Sequence, residues 1–200
     1  VADAPMTTWR AEQICAHRGA SAQYPENTVI AFDAAAHLGA GWIETDVQLL
    51  SDGELLVFHD ETLGRTAAGS APISSLSWSD VASLDIGSWK HQRFSGERPL
   101  TCTQLIQWQL DEQDRPGIIW EAKCPSDGVA ATATAAALAE RISAYSTHRC
   151  IVSSFDRTFL QAMRALLPQQ PLALIAEVLP SDWLGFCEQY DIAGVHLAGE

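Results

Sequence analysis

The fold is decided by residues 41–60, whose sequence reads GWIETDVQLLSDGELLVFHD. Two strand-like apolar runs, Trp42–Gln48 and Leu55–His59, lie on either side of Asp52-Gly53. Because Asp-Gly between two such runs is a strong hairpin signal, we predict that the chain folds back at this point. The first run would form the longer strand, and the second a shorter antiparallel partner.

This hairpin is the one irregularity in an otherwise regular alternation of strand-like and helix-like segments. Six apolar runs are predicted strands: Ile14–Gly19, Trp42–Gln48, Gly117–Lys123, Cys150–Phe155, Leu172–Val178 and Gly194–Leu197. Five longer segments are predicted helices: Asn27–Leu38, Leu100–Glu112, Val129–Tyr145, Arg157–Leu167 and Ser181–Tyr190. Repeated strand–helix units predict an α/β fold with a parallel sheet and helices outside it.

Length and composition are those of one globular domain. The 200 residues are 47% hydrophobic and 18% charged, and we predict a single domain over residues 1–200. Glycine, proline and serine are frequent in Glu61–Pro99, but aromatic residues lie among them, so we predict a small ordered insertion of turns and short helices. Val1–Pro5 precede Met6 and are expected to be a remnant of expression or of processing.

Charge and cysteine content exclude several classes of partner. The chain has 12 Lys and Arg against 25 Asp and Glu, a formal net charge of −13. The basic residues are scattered, so we predict neither nucleic-acid binding nor stable membrane association, since both usually need a basic patch. Apolar runs are too short to span a membrane, and no secretory signal is visible. The five cysteines are dispersed and lack a CxxC pair, which favours a reducing compartment.

Three carboxylates lie within apolar strands. Glu44 and Asp46 share one face of the longer hairpin strand, because side chains alternate along a strand. Glu121 follows Ile118–Trp120 in the third strand. Neighbouring carboxylates in an apolar strand repel each other and are costly to bury, and a divalent cation with oxygen ligands, Mg²⁺ or Ca²⁺, would resolve both difficulties. An edge strand with a solvated face is the alternative.

Cationic side chains accompany these carboxylates at the ends of predicted strands. The first strand ends in His17-Arg18-Gly19, at the carboxyl edge of the sheet, where ligands collect. Gly19 permits a sharp turn, and the Arg18 guanidinium suits a phosphate or a carboxylate. Lys123 lies two residues after Glu121, hence on the same face, where it would attract an anionic substrate. A structural histidine and a surface Glu–Lys pair are the alternatives.

Two histidines, His17 and His59, are predicted to lie near this cation site. The hairpin would bring His59 back to a place roughly opposite Asp46. Because imidazole titrates near neutral pH, such a pair suits general acid–base catalysis. Zinc bound by histidine is an alternative without support, since no close His/Cys spacing is present. His196, on the last predicted strand, is a further candidate to line the same mouth.

These residues resemble the glycerophosphodiester phosphodiesterase family, and most of all its compact bacterial cytosolic members. The matching motifs, in chain order, are His17-Arg18-Gly19, Pro25-Glu26-Asn27-Thr28, Ala31-Phe32, Ile43-Glu44-Thr45-Asp46-Val47-Gln48, Asp52-Gly53, His59-Asp60, Leu63, Arg65-Thr66, Leu84-Asp85-Ile86-Gly87-Ser88-Trp89, Glu121-Ala122-Lys123 and Ser153-Ser154-Phe155. Their order and spacing agree with the family over essentially the whole chain, and the combination is highly specific.

The resemblance implies a TIM-type (β/α)8 barrel with an insertion after the second strand, at residues 61–99. It implies that Glu44, Asp46 and Glu121 hold a divalent cation, Mg²⁺ or Ca²⁺. It implies that His17 and His59 are an acid–base pair. It further implies that Arg18 and Lys123 bind the phosphate and that Asn27 lies near both metal and phosphate. His196 joins the substrate-binding group. The implied reaction is cytoplasmic, metal-dependent hydrolysis of glycerophosphodiesters, such as glycerophosphocholine or glycerophosphoethanolamine, to sn-glycerol 3-phosphate and an alcohol.

Two departures from the family pattern are present. Ile119 stands where members often have a polar residue, two places before the third-strand glutamate. The chain also ends just after the sixth predicted strand, so the last two strands of a full barrel are expected to be missing from it. A phospholipase-type phosphodiesterase on the same barrel and a truncated, non-catalytic binding module are therefore alternative hypotheses. The alcohol preference and the oligomeric state stay open.

Overall fold

Strands and helices alternate along the chain much as the sequence predicts. A computed structural model describes residue 10 and residues 13–124, 128–145 and 149–197, and the predicted remnant Val1–Pro5 lies outside them. The strands are β1 (Cys15–His17), β2 (Trp42–Leu49), β3 (Leu55–Val57), β4 (Leu100–Thr101), β5 (Gly117–Ala122), β6 (Cys150–Ser154), β7 (Leu172–Ala176) and β8 (Gly194–Leu197). The helices are α1 (Val29–His37), α2 (Trp78–Val81), α3 (Cys102–Leu110), α4 (Gly128–Ala144), α5 (Arg157–Leu166) and α6 (Trp183–Gln189).

Six of the strands form a parallel sheet in the order β1-β2-β5-β6-β7-β8, and β3 and β4 extend it as an antiparallel hairpin from β2. The register aligns Asp46 of β2 with Glu121 of β5, Ser153 of β6 and Ala173 of β7, so these residues share one face. Parallel strands with a helix after each are the arrangement of a TIM-type (β/α)8 barrel. Among the described residues β1 and β8 do not pair, so hydrogen bonds do not close the sheet.

The outer face of the sheet carries the main hydrophobic core. Ile43 and Val47 of β2 alternate with Glu44 and Asp46, and both apolar side chains are fully buried in the cluster that the helices complete. Strand β5 repeats this pattern with Trp120, which is also fully buried. Each such side chain contributes about 1.5 to 3 kcal/mol on burial. The outward packing of the apolar residues therefore directs the carboxylates to the inner face.

Side chains at the helix starts fix where several helices begin. Thr28 caps α1, and Thr101 forms a capping box with Gln104 at the start of α3. Asp156 caps α5 by accepting a hydrogen bond from the backbone N–H of Phe159 at 2.8 Å. The longest described helix, α4, has 17 residues. None of the helices that the structure describes is both long and apolar enough to cross a membrane.

The predicted hairpin forms at Asp52-Gly53. Gly53 has a φ of +85°, a left-handed conformation that glycine adopts without a steric penalty. The Phe58 amide donates to the carbonyl oxygen of Asp46 at 3.1 Å. Asp46 is thus opposite Phe58, one residue away from the predicted partner His59. His59 begins the loop that follows the hairpin, beside the middle of β2.

Residues 61–99 consist of turns, the short helix α2 and two 3-10 turns at Ile73–Ser75 and Gln92–Phe94. They share a second hydrophobic cluster with the hairpin, whose buried members are Leu50, Leu56, Phe58, Ala67, Ile73, Val81 and Ile86. Because three of these belong to the hairpin segment, the insertion packs on the hairpin. This places the insertion beside the carboxyl end of β2.

Candidate active site

Three carboxylates converge on the inner face of the sheet. Asp46 and Glu121 are paired in register across β2 and β5, and Glu44 precedes Asp46 by two residues. One oxygen atom from each of the three lies within 4.8 Å of the others. Asp46 is fully buried and Glu121 is 8% exposed. The structure therefore brings together the three carboxylates that the strand pattern singled out, in a place with little access to water.

The carboxylate oxygens themselves indicate a cation site. Glu44 Oε1, Asp46 Oδ1 and Glu121 Oε1 are buried, and none accepts a hydrogen bond of regular geometry from the part of the chain that the structure describes. Lys123 forms ion pairs with Asp46 and Glu121 but offers only one positive charge to three buried carboxylates, and a cation among the three oxygens would offset the remaining cost of burial. Oxygen ligands about 2.0 to 2.6 Å from Mg²⁺ or Ca²⁺ lie at most about 5 Å apart, so the observed separations fit a divalent cation.

The pKa of Glu44 is raised by its place in this cluster. Burial, followed by the negative charges of Asp46 and Glu121, raises the pKa of Glu44 from 4.5 to about 8. Arg18 opposes the shift, and its backbone N–H donates to Glu44 Oε2 at 3.2 Å. Without a cation, Glu44 therefore holds a proton at neutral pH, which a bound cation would displace.

Two cationic side chains flank the carboxylates. Arg18 Nε lies 3.3 Å from Asp46 Oδ2, and Lys123 Nζ lies 3.3 Å from Asp46 Oδ1. Lys123 also forms an ion pair with Glu121. Burial acts to lower the pKa of Lys123, but the charges of Asp46 and Glu121 outweigh it, so the pKa is raised. Both cationic side chains are partly exposed, at 17% and 22%, and so remain accessible to an anionic ligand.

Asn27 ties the loop between β1 and α1 to the carboxylates. Its Nδ2 donates to Asp46 Oδ2 at 2.9 Å, and its Oδ1 accepts from Thr45 Oγ1 at 2.8 Å. Asn27 has a φ of +57°, a conformation that asparagine tolerates better than most residues. At Gly19, with φ of +80°, an added Cβ would lie 2.8 Å from the Ala31 carbonyl oxygen. The loop therefore passes against α1 at a distance that only glycine permits.

His17 lies at the end of β1, next to Glu44. His17 Nε2 is 3.6 Å from Glu44 Oε2, and the imidazole is largely exposed. Partial burial, followed by the charge of Arg18, lowers the pKa of His17 from 6.5. His59 follows Phe58, whose amide donates to the Asp46 carbonyl oxygen, so His59 lies beside the strand that carries Glu44 and Asp46. The structure thus brings both predicted histidines to the same site.

His59 follows β3 and is held by the next residue. Its Nδ1 lies 2.7 Å from Asp60 Oδ1, and Asp60 Oδ2 accepts from Arg65 Nε at 2.7 Å. The Arg65 hydrogen bond is the main cause of a lowered pKa at Asp60, so this carboxylate is ionised. Because an ionised carboxylate only accepts, Nδ1 donates the proton in this hydrogen bond, and Nε2 is left without a bond to Asp60. Glu26, Asp60 and Arg65 lie within the family motifs, but no pattern in the sequence predicts their role in the site.

His196 is separated from this cluster. It lies on β8, where it pairs in register with Ile175, two positions beyond the pair of Ala173 with Gly194. This register puts His196 on the inner face of the sheet, the face that Asp46 occupies on β2. Within the described ranges, His196 makes no hydrogen bond or ion pair with the other predicted site residues. Burial lowers the pKa of His196.

A cavity of about 860 Å³ lies beside Lys123. The ends of β5 and β6 line it on one side, and Glu61, Thr62 and Ser74 of the insertion line it on the other. Phe155, also in its wall, is 47% exposed, and its ring centroid lies 6.0 Å from Lys123 Nζ. The site thus has room for a small organic group next to its cationic side chain.

Comparison with known proteins supports this description of the fold. The model of the Glycerophosphoryl diester phosphodiesterase family matches residues 17–193. YhdW of Bacillus subtilis (strain 168) is 36% identical over 162 residues, which cover 81% of this chain and 65% of that protein. A glycerophosphodiester phosphodiesterase of Caldanaerobacter subterraneus subsp. tengcongensis is 33% identical over 163 residues, with the same two coverages. The chain spans 65% of the length of these two relatives.

Solved structures of phosphodiesterases are also similar to this chain. A phosphodiesterase of Oleispira antarctica, solved in complex with the product sn-glycerol-3-phosphate, is 33% identical. Its structure superposes with a TM-score of 0.84 over 92% of this chain and 74% of that chain. A glycerophosphodiester phosphodiesterase of Agrobacterium tumefaciens str. C58 is 25% identical, with a TM-score of 0.68, and covers 94% of this chain and 87% of that one. These matches confirm the predicted fold class.

Proposed function

The chain belongs to the glycerophosphoryl diester phosphodiesterase family, and on that premise we propose that it hydrolyses glycerophosphodiesters to sn-glycerol 3-phosphate and an alcohol. The observation that carries this proposal is the convergence of three carboxylates, Glu44, Asp46 and Glu121, whose oxygens lie within 4.8 Å of one another, next to His17 and to the hairpin that carries His59. The substrate class is supported by the Oleispira antarctica phosphodiesterase, whose product is sn-glycerol-3-phosphate.

Glu44, Asp46 and Glu121 are proposed to hold the divalent cation. When bound, the cation supplies positive charge that polarises the phosphate group. The donor set consists of oxygen atoms alone, which favours Mg²⁺ or Ca²⁺ over zinc. Asn27 keeps Asp46 in place through the 2.9 Å hydrogen bond to its Oδ2.

Arg18 and Lys123 are proposed to bind the phosphate. In the transition state, negative charge builds on the non-bridging oxygens, and fixed positive groups offset it. The planar Arg18 guanidinium suits two such oxygens at once, whereas the Lys123 ammonium acts as a point charge. His196 is proposed to line the same mouth, because its register puts it on the inner face.

His17 and His59 are proposed to transfer the protons. One imidazole deprotonates the nucleophile, which is either water or the neighbouring glycerol hydroxyl, while the other protonates the departing alkoxide. The bond between His59 Nδ1 and Asp60 makes Nε2 the nitrogen of His59 that is free to exchange a proton. Each transfer contributes about 100- to 10,000-fold to the rate, and removal of either imidazole is expected to cost about that much.

Choline release from glycerophosphocholine tests the proposal. We expect release in the presence of Mg²⁺ or Ca²⁺, loss of release in excess chelator, and a loss of about 100- to 10,000-fold in His17→Ala and in His59→Ala. His37→Ala is the matched control, since His37 is exposed in the last turn of α1. Parallel assays with glycerophosphoethanolamine would define the alcohol preference.

Three outcomes of these assays would change the proposal. Activity that persists in excess chelator would contradict the role of the cation. Binding of cation and glycerol 3-phosphate without turnover would favour a non-catalytic binding module. Strong binding to phospholipid vesicles in a flotation assay would favour a phospholipase-type activity on the same barrel.

A cytoplasmic location is also proposed. All five cysteines lie within the described residues and are free thiols, and Cys102, Cys150 and Cys187 are buried. Burial raises the pKa of Cys102 and of Cys150, so these thiols are poor nucleophiles. Unpaired structural thiols are typical of a reducing compartment. Fractionation of the source cells with an antibody against the chain would test the location, and recovery outside the cytoplasm would contradict it.

A further inference from the structure

A single arginine of the insertion, Arg65, connects two parts of the candidate active site. Its guanidinium donates four hydrogen bonds to two carboxylates. Nε and Nη2 donate to Asp60 Oδ2 and Oδ1 at 2.7 and 2.8 Å. Nη1 and Nη2 donate to Glu26 Oε2 and Oε1 at 2.8 and 2.7 Å. Bidentate pairs of this kind have a fixed geometry, so Arg65 holds Asp60 and Glu26 at a set separation.

The Asp60 side of this arrangement leads to His59. Asp60 Oδ1 accepts both from Arg65 Nη2 and from His59 Nδ1, the latter at 2.7 Å. Because Arg65 holds both oxygens of Asp60, the carboxylate cannot rotate away from its second partner, His59. A hydrogen bond to one ring nitrogen fixes the tautomer and the ring plane of a histidine. The orientation of His59 Nε2 therefore depends on Arg65 through Asp60.

The Glu26 side leads to Arg18. Glu26 Oε1 accepts from Arg65 Nη2 and from Arg18 Nη1, the latter at 3.0 Å. Burial acts to raise the pKa of Glu26, but the hydrogen bond from Arg65 and the charge of Arg18 outweigh it, so the pKa is lowered. Glu26 is therefore ionised and fixes one edge of the Arg18 guanidinium. Arg18 in turn lies 3.3 Å from Asp46.

Other residues of the insertion contact the Arg65 side chain and the loop between β1 and α1. The Arg65 guanidinium lies 5.7 Å from the centroid of the Trp89 ring, which makes a cation–π contact. Lys90 Nζ lies 5.6 Å from the same ring and donates to the Ser21 carbonyl oxygen at 2.7 Å. Ser21 belongs to the loop between β1 and α1, which also carries Glu26. The insertion is therefore hydrogen-bonded to this loop in two places, by Arg65 at Glu26 and by Lys90 at Ser21.

A surface ion pair would be the simpler interpretation of Arg65, whose side chain is 43% exposed. Isolated surface pairs contribute little to stability. Arg65 differs from an isolated pair because each of its two carboxylates also bonds a side chain of the proposed site. A change at Arg65 would thus be transmitted to two functional groups at once.

We propose that Arg65 is a positioning residue that orients His59 through Asp60 and Arg18 through Glu26. The inference rests on the proposed phosphodiesterase function and deepens it. Loss of the orientation of His59 lowers kcat, because proton transfer depends on the alignment of Nε2. Loss of the orientation of Arg18 raises KM, because the phosphate loses a pre-formed donor pair.

Arg65→Ala removes all four hydrogen bonds and is expected to lower kcat/KM about 10- to 100-fold. Arg65→Lys keeps the charge without the planar fork, and it is expected to recover only part of the loss. Millimolar guanidinium added to Arg65→Ala is expected to restore part of kcat, because it can occupy the vacated place between the two carboxylates. If Arg65 only stabilised the fold, neither the Arg65→Lys substitution nor added guanidinium would change the activity in this way.

Arg115→Ala is the matched control. Arg115 also lies between two carboxylates, 2.9 Å from Glu112 and 3.4 Å from Asp33, and 4.4 Å from the Trp108 ring. It precedes β5, at the end of the strand opposite to Glu121. We expect Arg115→Ala to lose thermal stability with kcat/KM unchanged. Equal losses of activity in the two variants, in proportion to their losses of Tm, would overturn the inference.

The ¹⁵N chemical shifts of the His59 ring give a readout that does not require activity. In the wild-type chain we expect the Nδ1-protonated tautomer, and in Arg65→Ala a mixture of tautomers. An inactive wild type whose His59 signals change in Arg65→Ala would refute the proposed function and leave the positioning role intact. An active wild type in which Arg65→Ala changes neither kcat/KM nor these signals would overturn the positioning role. If Arg65→Ala does not fold, kcat/KM and the His59 ring signals are measured in Arg65→Lys, and the same outcomes apply.

Discussion

Cation binding is predicted to release a proton from Glu44. The pKa of Glu44 is raised to about 8 in the cation-free protein, and a carboxylate must be ionised to bind a cation. At pH 7 a group with this pKa is about nine-tenths protonated, so we predict release of about 0.9 proton per cation at pH 7 and about 0.1 at pH 9.

Competition between the proton and the cation for Glu44 sets how strongly the cation affinity depends on pH. Between pH 6.5 and pH 8.5 the ionised fraction of Glu44 rises about 25-fold, which strengthens apparent binding by about 2 kcal/mol. Over this window His17 is mainly neutral, because its pKa is lowered from 6.5. At saturating cation, the added stability corresponds to a rise in Tm of about 4 to 8 °C for a chain of this length.

Without a cation, the stability of the folded protein is predicted to fall as the pH rises. The folded pKa of Glu44, about 8, lies above its ordinary value of 4.5, so the folded state binds more protons than the unfolded state between these two pH values. The contribution of Glu44 to stability is therefore complete below about pH 4.5 and is lost as the pH rises through about 8. Stabilisation by the cation grows over the upper part of the same window.

Calorimetric titration in two buffers of different ionisation enthalpy counts the released protons directly. Mg²⁺ and Ca²⁺ are titrated separately at pH 7 and pH 9. Glu44→Gln is the control, since it removes the titrating group, and it is expected to bind the cation more weakly and without proton release. Wild-type binding that releases no proton at pH 7, or an affinity that is constant between pH 6.5 and pH 8.5, would refute the reasoning.

Three further substitutions test the geometry around the cation site. Asn27→Ala removes a hydrogen bond to buried Asp46, and urea unfolding should show a loss of about 1 to 3 kcal/mol; an unchanged midpoint would contradict this. Gly19→Ala places a Cβ 2.8 Å from the Ala31 carbonyl oxygen at φ +80°, so thermal melts should show a loss of more than about 1 kcal/mol, and a neutral effect would mean that the loop is not constrained. Lys123→Met should lower kcat/KM about 100- to 1,000-fold by removing a charge from the proposed phosphate site, and unchanged steady-state kinetics would exclude that role.

The sheet and its carboxylates are predictable from sequence because strands have a period of two. Ile43 and Val47 must face the helices, so Glu44 and Asp46 must face inward, and β5 repeats the pattern with Glu121. The hairpin is predictable because Asp52-Gly53 fixes the turn chemically. The sequence predicts the register of the hairpin only approximately: His59 was expected roughly opposite Asp46, and the structure puts Phe58, one residue before it, at that position.

The ionic network around Arg65 has no comparable signal in the sequence. Arg65 and Glu26 are 39 residues apart, in an insertion and a loop that lack periodicity. Their contact depends on how the insertion packs on the hairpin, which follows from tertiary structure and not from local pattern. Asp60 stands next to His59 in the chain, but only the structure shows that both of its oxygens are also bound by Arg65.

Anomalous diffraction from crystals grown with Mn²⁺ and sn-glycerol 3-phosphate is the most direct test of the proposed site. We predict one anomalous peak bound by Glu44, Asp46 and Glu121, with a phosphate oxygen as a further ligand and Arg18 in contact with the phosphate. A peak bound elsewhere, or carboxylates that point away from the ion, would contradict it.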